Sequence, residues 1–334
     1  MLLPKSCVMM DVVGTELADD EKIMLSNPLV GGVILFTRNF VNSEQLIQLT
    51  SEIRKAADKP LLIAVDHEGG RVQRFRTDGF TKLPAMGQLS ERKLSDEQVT
   101  ELGWLMASEC LAHGIDLSFA PVLDLDRGSD VVGDRAFSAD VIQAIELASH
   151  WCKGMQQAGM SCVGKHFPGH GSTKEDTHVA APKDNRVLDE IMLNDGAVFK
   201  QLIDNQTLDA IMPAHINFPQ VDDSPVGYSK VWLQQILQRE LGFNGVLFSD
   251  DLSMVGAGAD LTYVEKAQLA LSAGCDMVLI CNDKEAVQQV LTEAKASLEV
   301  DASKGLTLCA EGFVSLTELQ SSTRWKLAKE LAEK

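Results

Sequence analysis

The stretch Gly245-Val-Leu-Phe-Ser-Asp-Asp-Leu-Ser253 is a short apolar run that ends in two adjacent carboxylates. A run without polar alternation, such as Val246–Phe248, is typical of a strand that is buried on both faces of a parallel sheet. Asp250 and Asp251 would then follow the carboxyl end of that strand. Functional residues of parallel α/β proteins collect at this end of the strands.

Similar apolar runs recur along the whole chain. The other seven are Cys7–Val12, Gly32–Phe36, Leu61–Val65, Leu117–Pro121, Cys162–Gly164, Ala210–Met212 and Met277–Cys281. Amphipathic segments separate them and predict helices at Ser43–Ala57, Asp96–His113, Val141–Ala158, Leu188–Ile203, Lys230–Leu241, Tyr263–Ala273 and Lys284–Leu298. Eight strands with intervening helices predict an α/β protein with one closed (β/α)8 TIM-type barrel.

A doubly wound open sheet is the alternative fold. It would suit a glycine-rich phosphate-binding turn after the first strand, and Val12–Glu16 contains no such turn. No linker or repeat divides the chain, so we expect residues 1–334 to form one catalytic domain. The polar segment after Asp301 is expected to be a helical tail packed outside the barrel.

The charge of the chain restricts its partners. Its 334 residues include 48 acidic and 30 basic side chains, which give a formal net charge of −18. This balance argues against nucleic acid or an anionic membrane as the main partner, but it leaves room for a small substrate in a local basic pocket.

The cysteines and the amino terminus indicate a cytoplasmic protein. The seven cysteines are scattered, odd in number and without metal-finger spacing, which favours a reducing compartment. Met1–Val13 resembles a first strand more than a signal peptide, and no apolar run is long enough to span a membrane.

Polar residues that could take part in catalysis or ligand binding follow five of the predicted strands. They are Asp66 to Glu68, Asp124 and Asp126, Lys165 and His166, His215, and Asp250 and Asp251. In a (β/α)8 barrel these positions surround one opening, which predicts an active site there. Successive strand residues point to opposite sides, so only one of Asp250 and Asp251 should face that opening.

A glycine-rich segment follows the fifth strand, from Lys165 to His178. Asp176 and His178 are two residues apart, which places both side chains on one side of extended backbone. The carboxylate could then orient the imidazole, and a histidine can donate and later accept a proton near neutral pH. A purely structural loop pair is the other interpretation of this spacing. Asp66, Arg74, Arg135, Lys165 and His166 are candidates for binding sugar hydroxyls, although each could instead form an ordinary ion pair or cap.

Three segments together resemble family 3 glycoside hydrolases. They are Val65-Asp-His-Glu-Gly-Gly-Arg71, Gly164-Lys-His-Phe-Pro-Gly-His-Gly171 and Gly245–Ser253. The Asp176-Thr-His178 pair narrows the resemblance to the bacterial β-N-acetylglucosaminidase branch, which has one domain and takes part in peptidoglycan recycling.

The resemblance implies retaining hydrolysis with Asp250 as nucleophile and His178, assisted by Asp176, as acid/base. It implies that Asp66, Arg74, Arg135, Lys165 and His166 bind a terminal N-acetylglucosamine that is β-linked to anhydro-N-acetylmuramic acid. We expect a monomer that needs no cofactor or metal.

Three alternatives remain at this point. A metal-dependent amidohydrolase could use His166, His170 and His215 as ligands, although no His-x-His follows the first strand. A catalytically silent sugar-binding protein could share the scaffold. Within glycosidases, the substrate's own acetamido group could attack while Asp250 only orients it.

Overall fold

The computed structural model describes residues 2–171, 182–301 and 303–334. Its strands are β1 (Leu2–Lys5), β2 (Val8–Asp11), β3 (Val30–Leu35), β4 (Leu62–Val65), β5 (His67–Gly69), β6 (Val72–Gln73), β7 (Leu117–Ser118), β8 (Val163–Phe167), β9 (Ala210–Pro213), β10 (Val246–Asp251), β11 (Met277–Ile280) and β12 (Lys295–Asp301). Its α-helices are α1 (Asp19–Leu25), α2 (Ser43–Ala57), α3 (Met86–Glu91), α4 (Asp96–Ala112), α5 (Val141–Ala158), α6 (Leu188–Leu193), α7 (Asp195–Asp204), α8 (Tyr263–Ala273), α9 (Lys284–Glu293), α10 (Leu316–Ser321) and α11 (Thr323–Ala332).

Eight parallel strands form the barrel in the order β7-β4-β3-β2-β11-β10-β9-β8. The seam between β7 and β8 is closed by backbone hydrogen bonds just beyond β7. Val163 N donates to Ala120 O at 2.8 Å, and Leu123 N donates to Lys165 O at 2.7 Å. The predicted (β/α)8 barrel is therefore confirmed, and the open doubly wound sheet is excluded.

The barrel interior is a separate apolar core. It contains residues two apart on one strand, such as Leu62 with Ala64 and Val246 with Phe248. The short helix Ser303–Leu308 adds Leu308 to this core, and Lys304 Nζ donates to Gly245 O just before β10 begins. The amino-terminal end of the barrel is therefore covered. A second, larger core lies between the strands and the surrounding helices.

Three predicted helices differ from the observed ones. Leu188–Ile203 is interrupted at Asn194, whose backbone (φ −116°, ψ −97°) leaves the helical region between α6 and α7. Val231–Glu240 is helical, as predicted, but has π-type hydrogen bonding. The predicted helix Lys284–Leu298 is wrong after Glu293, where α9 ends.

The residues after α9 form β12, which pairs in parallel with β1 outside the barrel. Because helix propensities differ by less than about 1 kcal/mol per residue, pairing with a free strand edge can outweigh them.

The tail contains α10 and α11. Helix α11 packs on α4, where Arg324 forms a two-pronged ion pair with Glu101 at 2.8 Å on each side. None of the helices in the described part of the chain is both long and apolar enough to cross a membrane.

Candidate active site

A cavity of about 640 Å³ opens at the carboxyl ends of the barrel strands. Six of the eight predicted site residues line it: Asp66, Arg74, Arg135, Lys165, His166 and Asp250. The remaining two, Asp176 and His178, lie outside the described residues. These six residues come from four barrel strands or their following loops and meet at one opening, whereas His215, predicted to join them, does not line this cavity.

Strand alternation explains which side chains face the cavity. Val246 and Phe248 point into the barrel core, so Asp250 continues the same inward face at the end of β10. Leu62 and Ala64 do the same on β4, and Asp66 follows them with the same parity. Alternation thus puts Asp250 on the inward face. The expectation that only one aspartate of the pair would face the opening was wrong, because Asp251 also lines the cavity and the pairing of β10 with β11 is irregular between Phe248 and Asp251.

A buried network of ion pairs forms the floor of the cavity. Lys165 Nζ lies 2.8 Å from Asp66 Oδ1 and 2.7 Å from Glu68 Oε1. Arg135 donates from Nε and Nη2 to the two oxygens of Glu68, each at 2.8 Å. Arg74 Nη2 donates to Asp66 Oδ2 at 3.2 Å. Two carboxylates thereby hold three cations in fixed positions.

The network also fixes the charge of its members. Burial alone would raise the pKa of Asp66, but Lys165 and Arg74 outweigh burial and hold that pKa below its ordinary value. Burial is likewise outweighed at Glu68, whose pKa is held far below its ordinary value by Arg135 and Lys165. Burial opposes the charge of Lys165, yet Asp66 and Glu68 raise its pKa. Asp66, Glu68 and Lys165 are therefore ionised at neutral pH.

Glu68 is the main site residue to which the sequence analysis gave no role, although it was noted among the polar residues that follow the strands. It is 2% exposed and connects Lys165 with Arg135, which come from distant parts of the chain. A signal was present, because Glu68 lies two residues after Asp66 and so shares its side of an extended backbone. Arg135, predicted to contact sugar directly, is itself held by Glu68.

A second buried carboxylate, Asp124, positions the segment after β8. Its Oδ2 lies 2.7 Å from His166 Nδ1, and its Oδ1 accepts hydrogen bonds from the backbone N–H groups of His166 (3.2 Å) and His170 (2.7 Å). Burial would raise the pKa of Asp124, but His166 and its other partners lower the pKa to about 2. The carboxylate thus leaves His166 Nε2 as the ring nitrogen that can serve a ligand.

Side chains of β10 replace backbone acceptors at the end of this strand. Ser249 Oγ accepts from Leu279 N at 3.0 Å, and Asp251 Oδ1 accepts from Cys281 N at 3.1 Å. Asp251 also accepts from Ser253 N and Ser253 Oγ, at 2.9 and 2.6 Å. Burial raises the pKa of Asp251 to about 6, although the hydrogen bonds from Ser253 act to lower this pKa. Residues 249 and 251 thus attach the strand end to β11 and leave Asp250 between them.

The histidines proposed as metal ligands have other surroundings. His215 Nε2 lies 3.1 Å from the carbonyl oxygen of Asp251, and burial lowers the pKa of His215 against the opposing charge of Asp250. Within residues 2–171, 182–301 and 303–334, no group of three or more His, Cys, Asp or Glu side chains is arranged to hold a metal ion. The described residues therefore do not bring His166, His170 and His215 together as a ligand set.

Comparison with protein families gives one match that covers nearly the whole chain. Residues 3–304 match the model of the glycosyl hydrolase family 3 N-terminal domain.

Curated relatives share about half of the sequence. The β-hexosaminidase of Idiomarina loihiensis is 52% identical over 327 residues, which are 96% of this chain and 98% of that protein. The β-hexosaminidase of Haemophilus influenzae strain Rd is 48% identical over 330 residues, 96% of this chain and 94% of that protein.

Solved structures with a similar fold include two of NagZ from Neisseria gonorrhoeae. Native NagZ from Neisseria gonorrhoeae superposes with a TM-score of 0.90 at 40% identity, covering 99% of this chain and 98% of that one. NagZ from the same organism in complex with N-trifluoroacetyl-D-glucosamine gives the same TM-score and identity over 100% of this chain and 99% of that one.

Proposed function

Because the chain belongs to glycosyl hydrolase family 3 and is a β-N-acetylhexosaminidase, we propose that it releases terminal β-linked N-acetylglucosamine from muropeptides through a covalent glycosyl-enzyme on Asp250. The observation that carries this proposal is the inward position of Asp250 at the end of β10, in the same cavity as the ionised Asp66–Lys165–Glu68 network. A fixed carboxylate beside a site of oriented donors and acceptors suits attack on an anomeric carbon.

The proposed reaction has two steps. In the first, an oxygen of Asp250 forms a bond to the anomeric carbon, the glycosidic bond breaks, and the leaving oxygen takes a proton from His178. In the second, His178 removes a proton from water, the water oxygen bonds to the anomeric carbon, and the bond to Asp250 breaks. The roles of His178 and Asp176 rest on their spacing and on the family resemblance.

The network supplies the contacts for the terminal sugar in this proposal. Asp66 is ionised, so it accepts hydrogen bonds from sugar hydroxyls, while Lys165 and Arg74 donate to the same sugar. His166, oriented by Asp124, provides a further donor or acceptor. Arg135 lines the same cavity and is fixed by Glu68, so its remaining N–H groups keep a constant direction. These groups bind and orient the sugar and do not exchange protons with it.

The natural substrate is proposed from the resemblance and from one relative. N-acetylglucosamine linked to anhydro-N-acetylmuramic acid, with or without a stem peptide, is the substrate class, and peptidoglycan recycling in the cytoplasm is the setting. The gonococcal NagZ complex contains an N-acyl glucosamine, which supports recognition of this sugar by a relative with 40% identity.

The test uses Asp250→Asn and a matched control, Asp260→Asn, at an exposed aspartate ten residues later. Both variants are assayed on a nitrophenyl N-acetylglucosaminide, and the wild type is incubated with a mechanism-based 2-acetamido fluorosugar and analysed by peptide mass spectrometry. We expect Asp250→Asn alone to lose turnover and the adduct to map to Asp250. Ordinary turnover in Asp250→Asn would remove this residue from the mechanism. Loss of turnover without any adduct would instead favour attack by the acetamido group of the substrate.

A further inference from the structure

A second cleft, of about 540 Å³, lies beside the opening of the catalytic cavity. Four basic side chains line it, and we call it the basic cleft: Arg71, Arg76, Lys82 and Arg92. Arg71 lines both the basic cleft and the catalytic cavity, so the two spaces share this side chain as a common edge.

The basic cleft has more cations than anions. Its acidic lining residues are Asp134 and Glu333, and Asp134 is already paired with Arg71 at 3.2 Å. Among the described residues, no carboxylate lies within ion-pair distance of Lys82 or Arg92, and both side chains are exposed. A local excess of positive charge in a chain with a net charge of −18 is a surface that attracts anions selectively.

Two of the cations are held in place by the backbone. Arg76 Nη2 donates to Gly70 O at 2.8 Å and to Arg71 O at 3.0 Å, and Arg76 Nε donates to Gln73 O at 2.9 Å. These carbonyls orient the guanidinium without neutralising its charge. Arg71 donates to Val131 O as well as to Asp134. The cleft is therefore partly preorganised before any ligand binds.

The position of the basic cleft next to the catalytic cavity suits contact with the leaving group of the proposed reaction. In the proposed function the terminal sugar occupies the catalytic cavity, which Asp66, Lys165 and Asp250 line, so the rest of the substrate extends out of that cavity. Arg71, 49% exposed, is the side chain that the catalytic cavity and the basic cleft share. A substituent on the second sugar that extends past Arg71 enters the basic cleft.

We propose that the basic cleft binds the carboxylates of the peptide carried by the leaving-group sugar. This inference rests on the proposed function, since it assumes a muropeptide substrate. Any such peptide has a carboxyl terminus, and acidic residues add further negative charge, which complements Lys82, Arg92 and Arg76. Contacts between exposed charges are individually weak and are screened by salt, so the cleft adjusts preference among substrates and leaves the chemical step unchanged.

The experiment compares three substrates of the same disaccharide: one without peptide, one with a peptide whose carboxylates are free, and one with the same peptide fully amidated. The cleft variant is Lys82→Glu/Arg92→Glu. The matched control is Lys55→Glu/Lys153→Glu, which changes the net charge equally at exposed positions that do not line the basic cleft. Thermal unfolding of each variant verifies that all are folded.

The readout is the ratio of kcat/KM for the free-carboxylate peptide to that for the amidated peptide. For the wild type and the control at low salt we expect a ratio of about 2 to 30, from two exposed charge pairs. The cleft variant should have a ratio near or below one, and added salt should lower the wild-type ratio. Equal ratios in the cleft variant and the control would overturn this inference alone. Failure of the wild type to hydrolyse any of the three substrates would overturn the proposed function and, with it, the inference.

Discussion

Glu68 offers the sharpest test of the buried ion network. The change Glu68→Gln keeps the shape of the side chain and removes its charge. Lys165 and Arg135, which are 3% and 12% exposed, then lose their shared carboxylate, and Asp66 remains as the one anion of the network for three cations. Breaking a buried ion pair by removal of one partner costs about 3–5 kcal/mol. The glutamine oxygen still accepts one hydrogen bond, so we expect the free energy of unfolding to fall by an amount near the lower end of this range, about 3 kcal/mol.

The assay is urea unfolding of Glu68→Gln and of a control variant at an exposed ion pair. Asp204→Asn removes the partner of Lys200, and both of these side chains are about half exposed. A pair of this kind contributes about 0–1 kcal/mol. The free energies of unfolding are compared at neutral pH, where equal m-values show that the unfolded states are comparable.

The pH dependence gives a second check on the same variant. Because the pKa of Glu68 is held far below its ordinary value of 4.5, the stabilisation by its charge is complete above that pH and declines only in stronger acid. The difference in the free energy of unfolding between wild type and Glu68→Gln should therefore be constant from pH 6 to 8, to within about 0.5 kcal/mol. A loss no larger than that of Asp204→Asn would refute the reasoning, because the cations would then be stable without Glu68.

Three other side chains have testable roles. His178→Ala should slow natural disaccharides more than aryl glycosides with good leaving groups, which need less protonation, and equal losses of kcat/KM would count against the acid role. Burial raises the pKa of Glu109 to about 7, against its hydrogen bonds from Thr81 and Trp325. The folded state therefore holds this proton more tightly, so stability should fall by about 3 kcal/mol as pH rises from about 4.5 to 7. Urea midpoints of Glu109→Gln across this range should lack that slope; an unchanged slope would assign it to other groups. Asp124→Asn should reduce kcat/KM about tenfold by loosening the His166 ring, and unchanged kinetics would show that other contacts hold this ring.

The sequence predicted the barrel because its strands are buried on both faces and therefore appear as continuous apolar runs. It also predicted the location of the cavity, because residues that follow such runs meet at one end of a barrel. The inward direction of Asp250 followed from simple alternation.

Other features depend on partners that sequence spacing does not identify. The bridging role of Glu68 depends on Lys165 and Arg135 reaching it from distant segments. The strand β12 exists because β1 offers it a free edge, and its own residues are compatible with a helix. The break at Asn194 is a local change of backbone conformation within an otherwise helical sequence pattern.

The attachment of the end of β10 has a consequence for isotope exchange. The amide protons of Leu279 and Cys281 are bonded to the side chains of Ser249 and Asp251, so their exchange with deuterated solvent reports on the strand end that carries Asp250. Faster exchange of these two amide protons would therefore report local opening of the strand end around Asp250, in the absence of substrate.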